Sequence, residues 1–277
     1  QKLDICPTHQ YPPVVLGNPY DGRSRTVPVT IITALILAAA HIPVVLHGGD
    51  CMPTKYGIPL IEIWQQLGVD FSSWNLAQAQ NVYNQTNLGM IYLPQHFPAA
   101  HSFVTFREQI GKRPPFATAE LVWSPIAGDV HLVAGFVHPP TEERFRETFK
   151  LRGTKNYTLV KGLEGSCDLA RSRTGIIALS QPEKEFERLL LDPYQSGFGG
   201  CDPIFESNPA AIALIKETIQ GQNNQLFPTA IFNGGFYLWR FNIAHTLESG
   251  FALAEQMLTT GKVDHKLSEL KSMSNEQ

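Results

Sequence analysis

The sequence predicts an α/β domain with a mostly parallel central sheet, flanking helices and a helical C-terminal part. Three observations carry that expectation. Short apolar runs at 42–46, 90–93, 132–137 and 157–160 alternate with segments of helical periodicity. The last part of the chain, from 208 to 260, reads as successive helices. With 277 residues, of which 43% are hydrophobic, the chain is long enough to bury one large core.

The first 13 residues form a lead-in to the apolar pair Val14 and Val15, followed by a turn cluster at 17–22, GNPYDG. Residues 33–40 are apolar on every side, which marks an internal helix. The stretch 27–46 is long and apolar enough to span a bilayer, but Pro28, His41 and Pro43 interrupt it; it reads as buried core, with no membrane role. The strand at 42–46 runs into a turn of His47, Gly48 and Gly49, whose unshielded backbone N–H groups suit an anion. Leu60, Ile61, Trp64 and Leu67 mark one helix face, with Gly68 at the left-handed cap position. Pro94 ends the strand at 90–93. After the strand at 132–137, Thr141 is expected to cap a helix that has Glu142 and Glu143 in its first turn, Phe145 and Phe149 on its inner face and Gly153 at its end. A further strand follows at 157–160. Asn208 and Pro209 open a helix with an Ile212, Ile215, Ile219 stripe, closed by Gly221. Helices at 231–241 and 248–260 complete the set, the second capped by Gly261. The main domain thus runs from 14 to 270, and 271–277 reads as a frayed tail.

Composition narrows the function. Charged residues are 17% of the chain, which points to extensive burial or a sizeable subunit interface. A net charge of −3 excludes attraction of polyanions by the molecule as a whole, so any anion site must be local. Cys6, Cys51, Cys167 and Cys201 show no metal-ligand spacing and suggest a reduced, cytoplasmic protein without structural zinc. The nine histidines show no pairwise metal spacing either. Cys167 has no histidine near it in sequence and reads as a structural thiol rather than a nucleophile. Phe232, Phe236, Tyr237 and Trp239 fall at helical spacing, as core aromatics do, and Gly199–Gly200 reads as a turn. The chain begins at Gln1, as an excerpt or a processed form would.

Taken in order, the segments LHGGDCMPTKYG (46–57), FREQIGKRPPF (106–116), AGFVHPP (134–140), KGLEGSCD (161–168) and FNGGFYLW (232–239) resemble the large domain of the anthranilate phosphoribosyltransferases and pyrimidine nucleoside phosphorylases. The likeness runs from about Val14 almost to Leu270. It implies a phosphoribosyl diphosphate-like ligand, Mg2+ and a homodimer. The family's diphosphate loop resembles 17–21: Gly17 and Asp21 are kept, but Pro19 and Tyr20 replace glycines that let backbone approach pyrophosphate. In the next segment Thr30 alone keeps a hydroxyl, between Pro28 and Ile31. In 46–50, His47 and Gly48 persist while Leu46, Gly49 and Asp50 replace lysine, asparagine and arginine. Lys55 and Gly57 are kept. Arg113 resembles the arginine that faces the acceptor, and Glu120–Leu121 replaces a Gly-Pro turn. The Mg2+-binding acid pair resembles Cys167–Asp168, which leaves Asp168 as the one hard oxygen ligand. The family's N-terminal helical domain has no counterpart in these residues.

Groups of another kind stand in the same loops. Arg23 and Arg25 lie in the diphosphate-type loop, Lys161 precedes the eroded acid pair, and Arg171 and Arg173 follow it. Guanidinium groups bind phosphate without metal through paired N–H donors. Two functions stay open on this reading. One is a transferase homologue that holds a phosphorylated ligand on Gly17, Asp21, Thr30, His47, Gly48, Gly49 and Lys55, with Arg113 facing an acceptor. The other is a non-catalytic binder of nucleic acid through the five cations, as in an offshoot of the family whose members keep the fold and to which the KGLEG motif is closer. Loop arginines are also commonly solvated or paired with a nearby carboxylate. A degenerate subunit that pairs with another chain is a third reading.

Overall fold

The computed structural model describes residues 2–113 and 115–275. Its centre is a seven-stranded sheet of order β3-β2-β1-β4-β5-β6-β7, built from β1 (Val14–Leu16), β2 (Val44–Gly48), β3 (Leu88–Tyr92), β4 (His131–Gly135), β5 (Tyr157–Val160), β6 (Gly175–Ser180) and β7 (Glu187–Leu191). The first five in that order pair in parallel, and β6 and β7 close the edge antiparallel. Strand β1 lies between β2 and β4, with Val14 opposite both Val44 and His131. The chain therefore winds outward through β2 and β3, then returns across β1 to β4. That reversal leaves a crevice at the C-terminal ends of β1 and β4, where ligands of open parallel sheets bind.

Period-two alternation buries both faces of the sheet. Val14, Leu16, Val44, Leu46 and Val133 join one apolar cluster, whereas Val15, Val45, Leu132 and Ala134 join another on the opposite face. The first face is covered by α1 (Thr30–Ala39), α2 (Leu60–Gln66) and the C-terminal helices. Helix α1 is buried along nearly its whole length, as its uniformly apolar sequence requires. It starts at Thr30, three residues before the expected start. The apolar stretch 27–46 is thus a loop end, a helix and a strand, and no helix among the described residues is long and apolar enough to cross a membrane.

Helix α3 (Leu76–Thr86) gave no strong apolar signal, because only Ala79, Val82, Tyr83 and Thr86 are buried; its mark is the capping box of Asn75 and Gln78. Four short helices follow β3: α4 (Leu93–His96), α5 (Pro98–His101), α6 (Val104–Ile110) and α7 (Pro115–Ala119). Helix α8 (Pro139–Arg152) begins two residues before Thr141, with His138 at the cap position. The pair Pro139–Pro140 presets the backbone of the first turn, so no capping hydroxyl is used. In α9 (Asn208–Ile219) the cap is Ser207, whose side chain accepts from the Ala210 N–H, and Asn208 is the first helical residue. Helices α10 (Phe227–Arg240), α11 (Leu247–Thr259) and α12 (Lys262–Asn275) complete the first-face layer. Residues 271–275, expected to fray, continue α12, and Met273 packs against the core. Phe232, Phe236 and Tyr237 are buried and Trp239 packs against the same cluster, so these aromatics belong to the core.

Candidate functional site

Three loops meet at the C-terminal ends of the parallel strands: residues 17–29 after β1, 49–59 after β2 and 161–174 after β5. They are sewn together by close backbone contact. Gly22, at φ +74, lies so near Gly57 that a Cβ would sit 2.2 Å from the Gly57 carbonyl oxygen. Gly162 is equally confined, since a Cβ there would sit 1.9 Å from the Ser166 carbonyl oxygen. Both positions exclude any side chain on grounds of space.

Arg23 is the centre of this junction and is fully buried, 0% exposed. Its Nη1 donates to Asp168 Oδ2 at 2.6 Å and to Ser166 Oγ at 2.9 Å. Its Nε donates to Glu164 Oε1 at 3.2 Å, and its Nη2 to the Thr26 hydroxyl. Asp168, itself buried, also accepts from Thr30 Oγ1 at 2.7 Å and from the Val29 N–H at 3.1 Å. Both of its oxygens are therefore occupied by protein donors. The residues here do not fit Mg2+: the single acid expected to bind it is neutralised by a guanidinium, Cys167 beside it is a thiol that burial pushes well up, and no cluster of three or more metal-ligating side chains occurs among the described residues.

Glu164 was not among the residues the sequence singled out, yet it makes the most contacts in the cleft. Its Oε1 accepts from the backbone N–H groups of Arg25 at 3.1 Å and Thr26 at 3.0 Å and from Thr26 Oγ1 at 3.1 Å. Its Oε2 accepts from the Ser24 N–H at 3.3 Å and from Lys55 Nζ. Burial alone would raise this carboxyl, but Lys55, Arg23 and the Thr26 N–H bring it down to about 2. The signal in the sequence was its place between Gly162 and Gly165, where a lone acid is held on a tight turn.

Some of the remaining candidate residues are likewise paired within the protein. Arg113 donates to Asp21 at 2.7 Å. The Tyr20 hydroxyl is hydrogen-bonded to His47 Nδ1, and both rings are buried. Burial lowers His47 to about 3, so it is neutral at physiological pH and supplies no cation; its Nε2 has no partner among the described residues. Gly17 lies where a Cβ would come 2.8 Å from the Val133 carbonyl oxygen, Gly48 ends β2, and Gly49 packs against Met52. The Arg171 Nε donates to the Phe198 carbonyl at 2.7 Å, and its backbone N–H donates to Asp202 Oδ1 at 2.8 Å. Of the five expected cations, Arg25, Lys161, Arg171 and Arg173 form no ion pair among the described residues; Arg25 and Arg173 are exposed, and Lys161 and Arg171 are half-buried. Arg25, Lys161 and Arg173 surround the loop that carries Glu164, and Arg173 reaches the Gly162 carbonyl at 3.5 Å.

Beside Tyr20 opens an apolar cavity of about 280 Å3, with Phe97, Phe103, Phe116 and Trp123 in its wall and Glu120 at its edge. Burial raises Glu120 to about 7 despite Arg107, whose guanidinium lies 3.5 Å away.

The glycosyl transferase family a/b domain is matched over residues 21–263. The anthranilate phosphoribosyltransferase of Chromobacterium violaceum is 25% identical over 259 residues, which cover 91% of this chain and 73% of that protein. An uncharacterized protein of Aquifex aeolicus is 22% identical over 247 residues, 88% of this chain and 74% of its own. Among solved structures, anthranilate phosphoribosyltransferase from Thermus thermophilus superposes with a TM-score of 0.77 at 19% identity, over 99% of this chain and 80% of that one. The enzyme from Saccharomyces cerevisiae in complex with PRPP and Mg gives a TM-score of 0.81 at 15% identity, over 100% and 77%. The family match spans most of the chain and the structural neighbours agree with it: this protein belongs to the glycosyl transferase family, with the fold of the anthranilate phosphoribosyltransferases.

Proposed function

We propose that this family member binds a phosphorylated or polyanionic ligand in the cleft above β1, β2 and β5, without Mg2+, and does not carry out Mg2+-dependent phosphoribosyl transfer to anthranilate. One observation carries the reading: Arg23 neutralises Asp168 from inside the protein, at 2.6 Å, at the position where the likeness to the family implies a metal-binding acid pair. Pyrophosphate leaves as a heavily charged group, and its departure must be stabilised electrostatically. Here Arg23, Lys55 and Arg113 already face carboxylates. Calorimetry with phosphoribosyl diphosphate, with and without Mg2+, tests this. The expected result is binding unchanged by the metal; Mg2+-dependent turnover of anthranilate overturns it. Two further expectations accompany the reading, a homodimer by likeness to the family and a cytoplasmic location from the four free cysteines. Light scattering and fractionation check them.

A second reading, binding of single-stranded nucleic acid, is favoured by Arg25, Lys161 and Arg173, which form no ion pair among the described residues and, unlike Arg171, are not held by a short side-chain hydrogen bond. If Arg25, Lys161 and Arg173 each contact one phosphate, log affinity falls against log salt with a slope of about −2. The Arg25→Ala, Lys161→Ala, Arg173→Ala triple variant flattens that slope. Binding that ignores both salt and the triple variant excludes this surface.

A further inference from the structure

We propose that residues 23–26 together with Lys55 form a phosphate-binding nest, and that Glu164 is its resident intramolecular ligand, displaced when a phosphate group enters. The inference rests on the anion-cleft reading and deepens it. Three successive backbone N–H groups, of Ser24, Arg25 and Thr26, converge on one carboxylate at 3.0–3.3 Å. Successive N–H groups aimed at one point form an anion site whatever anion fills it. The Thr26 hydroxyl, the Arg23 Nε and the Lys55 ammonium complete the shell. Such a set of donors exceeds what a carboxylate needs for solvation within a turn, and it matches a phosphate, with its extra oxygens and second charge.

The occupant is held by those contacts and not by its own backbone. Glu164 sits at φ 54, ψ 22, the left-handed region that is unfavourable for a residue with a Cβ. The next residue, Gly165, is at φ 81, so a turn of two left-handed residues presents the carboxylate. The nest also lies within reach of solvent. The Lys55 side chain is 22% exposed, Ser24 and Thr26 are half-buried and Arg25 is exposed. The charge balance agrees: Arg23 and Lys55 offset Asp168 and Glu164, so withdrawal of Glu164 leaves one uncompensated positive charge to hold an anion.

Calorimetry with pyrophosphate, in the absence of Mg2+, compares the wild type with Glu164→Ala and Glu164→Gln. Both variants are expected to bind at least about tenfold more tightly than the wild type, and Lys55→Ala added to Glu164→Ala is expected to remove the gain. A Glu164→Ala protein with native circular dichroism and an affinity within about twofold of wild type overturns the proposal. If neither variant folds, the wild type answers directly. Saturable shifts of the Ser24, Arg25 and Thr26 amide resonances with pyrophosphate, absent with sodium chloride at equal ionic strength, support the nest; unshifted amides refute it. The wider reading is tested separately, by wild-type binding of phosphoribosyl diphosphate or single-stranded DNA through Arg25, Lys161 and Arg173. It can fail while the Glu164 gain stands, and the reverse.

Discussion

Arg23→Ala removes the counter-ion at the centre of the cleft, and its cost can be worked from the contacts. The substitution leaves Asp168, 1% exposed, with only the Thr30 hydroxyl and the Val29 N–H as donors. Glu164 keeps Lys55 and three backbone N–H groups, so most of the penalty falls on Asp168. Leaving a buried charge uncompensated costs about 3–5 kcal/mol, and about 4 kcal/mol is expected here at neutral pH. Asp168→Asn in the Arg23→Ala background keeps an acceptor for Thr30 and Val29 while removing the charge, and should recover about half of that loss. The double-mutant cycle, completed by Asp168→Asn alone, then yields a coupling of at least about 2 kcal/mol between Arg23 and Asp168. Urea unfolding followed by tryptophan fluorescence measures each term. Domains of this kind are stable by only about 5–15 kcal/mol, so Arg23→Lys, which retains the charge but loses the fork to Glu164 and Ser166, gives a milder point on the same scale. A loss below about 1 kcal/mol for Arg23→Ala would falsify the view that the guanidinium stands in for the metal's charge.

Two other outcomes follow from the same cleft. Glu164 lies near 2 in the folded protein against an ordinary 4.5, and its side chain is 7% exposed, so it contributes roughly 3 kcal/mol above pH 4.5 that is lost as pH falls toward 2. The stability difference between wild type and Glu164→Gln, measured by urea titration, should therefore be flat above about pH 5 and vanish near pH 2; a difference that grows on acidification contradicts the assignment. Gly162→Ala places a methyl group 1.9 Å from the Ser166 carbonyl oxygen, which cannot move without breaking the 163–168 turn. A loss of at least about 2 kcal/mol is expected, and a thermal melt coincident with wild type would show that the loop is not packed as described.

The fold was legible because its signals are local. Alternating residues in β1, β2 and β4 sort onto two sheet faces, and α1 is apolar on every side because it is covered on every side. Where local signals were weak the reading missed elements. The sequence of α3 is mostly polar, and β7 is an edge strand that leaves Leu190 63% exposed. Element ends shifted by a few residues where Pro139, rather than Thr141, started a helix.

The cleft was only half legible, and the reason is electrostatic. A sequence shows which charges a loop carries but not which opposite charge it will meet. Arg23 and Asp168 are 145 positions apart, Lys55 and Glu164 are 109 apart, and Arg113 and Asp21 are 92 apart. Each pair forms only when the loops after different parallel strands come together. Read one at a time, Arg23 and Lys55 are phosphate anchors and Asp168 is a metal ligand; brought together, they cancel. Asp168 lies buried beside the Cys167 thiol, and a buried carboxylate without a cation is unfavourable by several kcal/mol. Arg23 meets that requirement from the protein itself, and once it does, a metal has nothing left to neutralise. The same logic extends to Glu164: a nest built of N–H groups and two cations is stable only when an anion fills it, and in this chain the anion is covalently attached.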